Sequence, residues 1–322
     1  MDNQSNPKET LRDIPPFEQL METLHKTIKI AWNIENKMHQ PSIDRWLDNF
    51  TGEALNEAYA DKSEAAQREK QLALFLLCNF VYYNESEVKY LARLMLKKYV
   101  HSVFETENKI FVSEDDIYTL LDEKTKFSYL GEASESSSYL LYLFRQENGL
   151  SRKVFSENQN AENVVFIDDF SISGSQAEMY LKSKIKNLGE DKRYYVLLMI
   201  ATEEAIELLN KIGGVTVLPC IYLDETAKTF NESSIVFAGY KDNCKLETQK
   251  MCEYYGEKII TSTKDMKPLG FDGKGYLFGS YYNVPDNTLP IFWSSKNNWI
   301  FLFKRHDKQY YKSNIGWGGH YV

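Results

Sequence analysis

Apolar positions in the first third of the chain recur at three- and four-residue spacing, the signature of helices that bury one face. In residues 17–34, Phe17, Leu20, Leu24, Ile28 and Trp32 share one side. Pro41 followed by Ser42 offers an N-cap for a short helix, and the run from Glu64 through Leu72 to Tyr83 continues as a longer one. Asn84, with Glu87 three residues on, reads as a capping box that opens a further amphipathic helix through Phe104. From Lys124 the pattern changes. Short apolar runs at 126–131, 163–169, 193–201 and 215–223, rich in β-branched and aromatic residues, alternate with amphipathic stretches at 138–146, 177–189 and 203–214. Strand and helix in alternation predict an α/β domain with a mostly parallel sheet covered by helices on both faces. From Thr263 the chain is aromatic and rich in turns, which predicts a β-containing appendage. The expected organisation is therefore a flexible polar arm (1–16), a helical region (17–123), an α/β domain (124–262) and the appendage (263–322).

Composition narrows the classes of function. With 322 residues, 43% of them hydrophobic, the chain has enough apolar material for a large core. The longest apolar stretch, Leu72 to Tyr83, is too short to span a bilayer, and the polar N-terminus lacks a signal-peptide core, so a cytoplasmic protein without membrane contact is expected. A net charge of −8 argues against dedicated duplex DNA binding. Basic residues at 182–193 and 304–312 read as solvated surface rather than as a nucleic-acid patch. Cys78, Cys220, Cys244 and Cys252 lack paired spacing, and the histidines form no metal motif, so these cysteines are read as buried or half-buried free thiols.

The segment that carries chemistry lies mid-chain. The run Val164–Ile167 ends in Asp168 and Asp169, and Phe170-Ser171-Ile172-Ser173-Gly174-Ser175-Gln176 leads into a helix beginning near Ala177. Small residues around Gly174 let successive N–H groups turn inward, and the helix start adds the positive end of its dipole, so the loop suits a phosphate monoester. Two carboxylates at a strand tip accept hydrogen bonds from a vicinal diol such as that of ribose, or hold a magnesium ion through water. Diol and phosphate together describe a ribose 5-phosphate. An Asp-Asp pair at a strand end also serves receiver domains and phosphatases, but the small-residue loop and its mid-chain position argue against these.

This arrangement resembles the binding motif for 5-phosphoribosyl pyrophosphate (PRPP) in the type I phosphoribosyltransferases: four apolar residues, two acidic ones, then a short Ser/Thr/Gly loop. The resemblance implies a type I phosphoribosyltransferase-like α/β fold, with an N-terminal helical region and a C-terminal hood. It implies that Asp168 and Asp169 take the ribose hydroxyls and act at the catalytic centre, and that Ser171, Ser173, Gly174, Ser175 and Gln176 wrap the 5-phosphate. The family's pyrophosphate loop would correspond to Gly131, Glu132, Ser134, Glu135 and Ser136, the glutamates acting through Mg2+ rather than on the anion itself. Two departures stand out. Gln176 occupies the place where many members have Thr, and Ile172 stands where purine-transferring members carry an acidic base, so purine salvage by the usual route is not expected.

Over nearly the full length from Trp46, the chain also resembles the phosphoribosyltransferase-like effectors of bacterial conflict systems, including those beside retron reverse transcriptases. The segments that carry this are 45–50 (RWLDNF), the helical runs around Leu72 and Leu91, 167–176 (IDDFSISGSQ), 283–293 (NVPDNTLPIFW) and Trp299. The resemblance implies an antiphage effector that binds PRPP or a nucleotide with Mg2+ and reacts at the anomeric carbon, under control of a partner protein or ribonucleoprotein. It also places 283–290 near the site, whereas turn chemistry alone accounts for Pro285-Asp286-Asn287. A degenerate PRPP-sensing module and a scaffold for an RNA–protein partner are the alternatives from other classes.

Overall fold

The four apolar runs of the middle region form the centre of the molecule. A computed structural model describes residues 11–31, 40–109, 111–131, 136–155, 161–189, 191–260, 264–303 and 305. Along the chain come helices α1 (Phe17–Ala31), α2 (Gln40–Leu47) and α3 (Lys62–Cys78), strand β1 (Val81–Tyr83), and helices α4 (Glu85–Thr106) and α5 (Glu114–Tyr118). The α/β alternation follows as β2 (Thr125–Tyr129), α6 (Ser136–Glu147), β3 (Asn163–Ser171), α7 (Ser175–Leu188), β4 (Arg193–Thr202), α8 (Glu203–Asn210) and β5 (Val215–Leu223). The chain then forms α9 (Asp242–Ile259), β6 (Met266–Lys267), β7 (Gly270–Phe271) and β8 (Phe278–Ser280).

Strands β2, β3, β4 and β5 pair in that order, all parallel. Side chains alternate across such a sheet with a period of two, so each strand feeds two cores. Val165, Ile167, Tyr195 and Leu197 face a core shared with Leu91 and Met95 of α4 and Leu140 and Phe144 of α6. Val164, Phe166, Tyr194, Val196 and Leu198 face Ala177 and Leu181 of α7 and Leu209 of α8. The α/β fold expected from the alternation is thus present, with α4 of the helical region serving as cover for one face of the sheet.

A third core joins α1, α2, α3 and α9 to the C-terminal segment. Trp46 is fully buried, stacks on Phe292 at 5.3 Å and donates from Nε1 to the Ile291 carbonyl at 2.8 Å. Trp299 donates to the same oxygen at 2.9 Å, so both lone pairs of one carbonyl are used. Beside this cluster Glu69 is buried, and its carboxylate accepts from the N–H groups of Gly52, Ala54 and Leu55 and from the Tyr255 hydroxyl, at 2.6–3.0 Å. Burial, and then this bond to Glu69, push the Tyr255 pKa up.

Several local expectations are met or revised. The capping box at Asn84 and Glu87 is present. Helix α2 begins at Gln40, so Ser42 lies inside its first turn and does not cap it. The long helix expected to reach Tyr83 stops at Cys78, because Asn79 folds its amide back onto the Phe75 carbonyl at 2.9 Å. Val81 to Tyr83 instead pair in parallel with Phe278 to Ser280, a partner far away in sequence. Residues from Leu11 are docked: the Arg12 N–H donates to the Gly239 carbonyl at 3.0 Å, and the Lys241 N–H to that of Arg12 at 2.9 Å. Cys244 and Cys252 are buried free thiols, and Cys78 and Cys220 are half-buried ones. Among the described residues no helix is long and apolar enough to cross a membrane.

The turn from β3 into α7 shapes the carboxyl edge of the sheet. Gly174 is the N-cap residue with φ +74°, and a Cβ there would lie 3.1 Å from Ala205 Cα and 3.3 Å from Ala205 O of α8. Thr202, at the end of β4, donates from its hydroxyl to the Ile172 carbonyl at 2.5 Å and caps α8 by accepting from the Ala205 N–H at 3.2 Å. Gly174 is therefore required both for its left-handed conformation and for the close approach of α8.

Two stability outcomes follow. Glu69→Gln replaces an acceptor that faces backbone N–H groups with a donor, and urea unfolding should show a loss of about 2–4 kcal/mol, in the range for stranding buried polar groups. Gly174→Ala should cost about 1–3 kcal/mol, the usual cost of forcing a side chain into such a conformation. A Gly174→Ala protein with an unchanged urea midpoint would contradict the close packing of this turn on α8.

Candidate functional site

Parallel strands point their carboxyl ends the same way, and the crevice beyond those ends is where open α/β sheets hold ligands. Here that edge carries Asp168 and Asp169 at the end of β3, the turn 171–174, the start of α7, and Gly131 just after β2. The Leu130 N–H donates to the Ile167 carbonyl at 2.9 Å, which extends the β2–β3 pairing and sets Gly131, with φ +107°, beside the aspartates.

The two aspartates have different environments. Asp168 is half-buried, and its Oδ1 accepts from the Asp169 N–H at 2.9 Å. Asp169 is only 3% exposed. Its Oδ1 accepts from the Ser136 hydroxyl at 3.1 Å and from the Phe170 N–H at 2.9 Å, and its Oδ2 accepts from Asn283 Nδ2 at 3.1 Å. Asp169 thus ties β3 to the first turn of α6 and to the C-terminal segment, as a charge removed from water must be paired or hydrogen-bonded.

The phosphate-loop candidates fall together. Ser171 and Gly174 are buried, Ser173 is half-buried, and Ser175 and Gln176 are exposed at the first turn of α7. No side chain caps that helix, and its N–H groups, apart from a long 3.4 Å approach of the Ser175 N–H to Ser173 Oγ, lead the helix dipole. An anion set against the loop would meet these donors. On the opposite side, Ser136 opens α6, and next to it Ser137 is buried with a hydroxyl that finds no partner. Glu132, Ser134 and Glu135 of the pyrophosphate-loop assignment lie outside the described residues. Among the described residues no group of three or more His, Cys, Asp or Glu side chains is arranged to hold a metal ion. Two carboxylates alone suit Mg2+ only where waters and ligand oxygens complete its shell.

The C-terminal segment supplies a wall that local patterning does not reveal. Ser280 and Asn283 close a tight turn: the Ser280 N–H and hydroxyl donate to the Asn283 carbonyl at 2.8 and 3.0 Å, and the Asn283 N–H returns to Ser280 Oγ at 3.1 Å. Tyr281 and Tyr282 occupy its tip. The Tyr281 and Tyr139 hydroxyls are 2.7 Å apart, and the Tyr139 ring lies 4.9 Å from that of Tyr282. Burial, then the Tyr139 bond, raise the Tyr281 pKa. Asn283 therefore reaches Asp169, while the Thr288 N–H to Pro285 carbonyl bond at 3.1 Å makes 285–288 a turn. The tyrosines and Thr202 went unread in the sequence. A Ser-Tyr-Tyr-Asn turn was a detectable signal, but nothing local places it against β3.

Of the basic residues, those described at 182–193 lie at the surface, whereas Arg305 is largely buried and Lys304, Lys308 and Lys312 lie outside the described residues. Lys182 pairs with Glu178 at 2.7 Å, Lys184 lies over the Tyr180 ring, and Arg193 meets Glu107 and Glu162. Arg305 pairs with Asp286 at 3.1 Å.

No curated protein matches the chain. The PRTase-CE family model matches residues 43–305, from α2 through the C-terminal segment that reaches Asp169. With its parallel sheet and the loop between β3 and α7, the chain belongs to the PRTase-CE family and contains a phosphoribosyltransferase-like domain.

Proposed function

We propose that the edge formed by Asp168, Asp169 and the 171–176 loop binds PRPP or a related ribose 5-phosphate ligand with Mg2+, and supports transfer or cleavage at the anomeric carbon. The observation that carries the reading is the juxtaposition, at the carboxyl end of a parallel sheet, of a carboxylate pair with a left-handed glycine turn that delivers an uncapped helix start. The 5-phosphate sits against Ser173, Gly174, Ser175 and Gln176, with Ser171 shaping the turn beneath. Asp168, the less buried of the pair, accepts from the ribose diol. The resemblance assigns the loop between β2 and α6 to the leaving pyrophosphate, and Asp168 and Asp169 would hold Mg2+ through water, which would supply neutralisation of that group's charge.

In the reaction the bond from C1 to the pyrophosphate oxygen breaks, the pyrophosphate leaves with the electron pair, and a nucleophile forms the new bond to C1. The chain offers backbone amides, serines and carboxylates for this. Its contribution is positioning and electrostatic stabilisation, which together account for large rate enhancements. The resemblance to conflict-system effectors supports a role in antiphage defence in which a partner protein or ribonucleoprotein restrains the activity. A sensing role is favoured by one observation: Asp169 has its oxygens engaged by Ser136 and Asn283, so ligand arrival at Asp168 is linked to two other elements.

Calorimetric titration with PRPP and Mg2+, together with an assay for released pyrophosphate, tests this. Asp168→Asn should lower affinity tenfold or more, about 1.4 kcal/mol, with little change in thermal midpoint. Asp169→Asn, which turns an acceptor into a donor among donors, should lower the midpoint as well. Binding without pyrophosphate release, in the presence of candidate acceptors, would assign sensing. A folded wild-type protein that binds neither PRPP nor ribose 5-phosphate would eliminate both roles.

A further inference from the structure

The hydroxyl of Tyr282 is buried and faces the Asp169 carboxylate without reaching hydrogen-bond geometry with it or with another group. A donor left in that state carries a penalty that a ligand atom can remove. Its surroundings are those of the site. Asn283, the next residue, donates to Asp169 Oδ2, and the Tyr139 ring against which Tyr282 packs stands in the same first turn of α6 as Ser136, which donates to Asp169 Oδ1. The Tyr139–Tyr281 bond fixes the turn to α6 from the other side. Three elements therefore converge on one phenol.

We propose that Tyr282 is the specificity residue for the 2-hydroxyl of the ribose: the phenol donates to that hydroxyl, and the Asp169 carboxylate accepts from it. The inference rests on the ribose 5-phosphate reading above. Burial, followed by the charges of Asp169 and Asp168, raises the phenol's pKa, so it remains protonated and acts as a donor. A group that fits between a phenol donor and a carboxylate acceptor must both accept and donate, as an alcohol does. The 2-hydroxyl is selected because α6, which opens with Ser136 and Tyr139, packs on the sheet face opposite α7, whose start is assigned to the 5-phosphate; the α6 side of the ribose is then its C1 end, and the hydroxyl next to C1 is that on C2. To reach it the ligand displaces the Asn283 amide from Asp169 Oδ2, which frees that oxygen to accept from the arriving hydroxyl.

The test is Tyr282→Phe in the full chain, titrated calorimetrically with ribose 5-phosphate and 2-deoxyribose 5-phosphate and melted without ligand. The wild type should prefer the ribose form tenfold or more. Tyr282→Phe should reduce that preference below threefold by losing affinity for ribose 5-phosphate alone, with a thermal midpoint no lower than that of the wild type. Full discrimination retained by the variant, or equal loss for both sugars, would overturn the proposal, as would a lowered midpoint, which would show that the hydroxyl is used within the chain. Equal binding of both sugars by the wild type would refute the role of Tyr282 while leaving the ribose 5-phosphate site standing. Binding of neither sugar phosphate nor PRPP would remove the site itself, and the proposal with it.

Discussion

A carboxylate taken out of water must have its lone pairs filled, and the way Asp169 meets that demand organises the functional edge of this molecule. Its partners are Ser136, separated by 33 residues, and Asn283, separated by 114. The first fixes the start of α6. The second draws the C-terminal turn across the end of β3. One side chain thus closes a crevice whose walls come from three distant parts of the chain, and Asp168 beside it remains the more accessible acid. Adjacent acids in sequence have become a closely bonded anchor and a more accessible neighbour, a division set by burial rather than by residue type.

The regular parts of this arrangement were legible because their physics is local. The apolar runs at β3 and β4, the helical spacing of α4 and the glycine turn after the two aspartates each declare themselves within a dozen residues. What escaped depends on distant partners. Val81 to Tyr83 continue an apolar run that began as a helix, and only pairing with β8 makes them a strand. Helix α9, with Cys244, Met251, Cys252 and Tyr255 along its buried side, was not read from the pattern, since its apolar positions are sparse and interleaved with charges. Tyr282 shows locally only as part of a Ser-Tyr-Tyr-Asn turn, and nothing local sets it or Thr202 against β3; the fold brings them there.

Two kinds of signal supported the family assignment. The acidic pair and its loop point to chemistry. The segments around Trp46, Phe292 and Trp299 point to packing: these rings, with Phe50, form one cluster in which the Ile291 carbonyl serves two indole N–H groups. Such a cluster tolerates little change in shape, because interiors are close-packed and each large ring buries much area. Its functional meaning comes through β8, which leaves that core and leads directly into the turn at Asp169.

That connection determines how movement in the helical region can reach the site. β1 follows α3 after two residues, pairs with β8, and β8 ends in the turn bearing Tyr282 and Asn283. The Tyr281 N–H donates to the Tyr83 carbonyl at 2.9 Å, so the turn is held from the helical side by backbone bonds and from the sheet side by the Asn283 side chain alone and its tyrosine neighbours. A displacement of α3 carries β1 and β8 with it, since separating the strands would leave several backbone groups unpaired at once. The Asn283 bond to Asp169 and the Tyr139–Tyr281 bond are the side-chain hydrogen bonds on that path. Movement of the helical region would therefore reach the Asp169 carboxylate through one turn, without any rearrangement of the sheet.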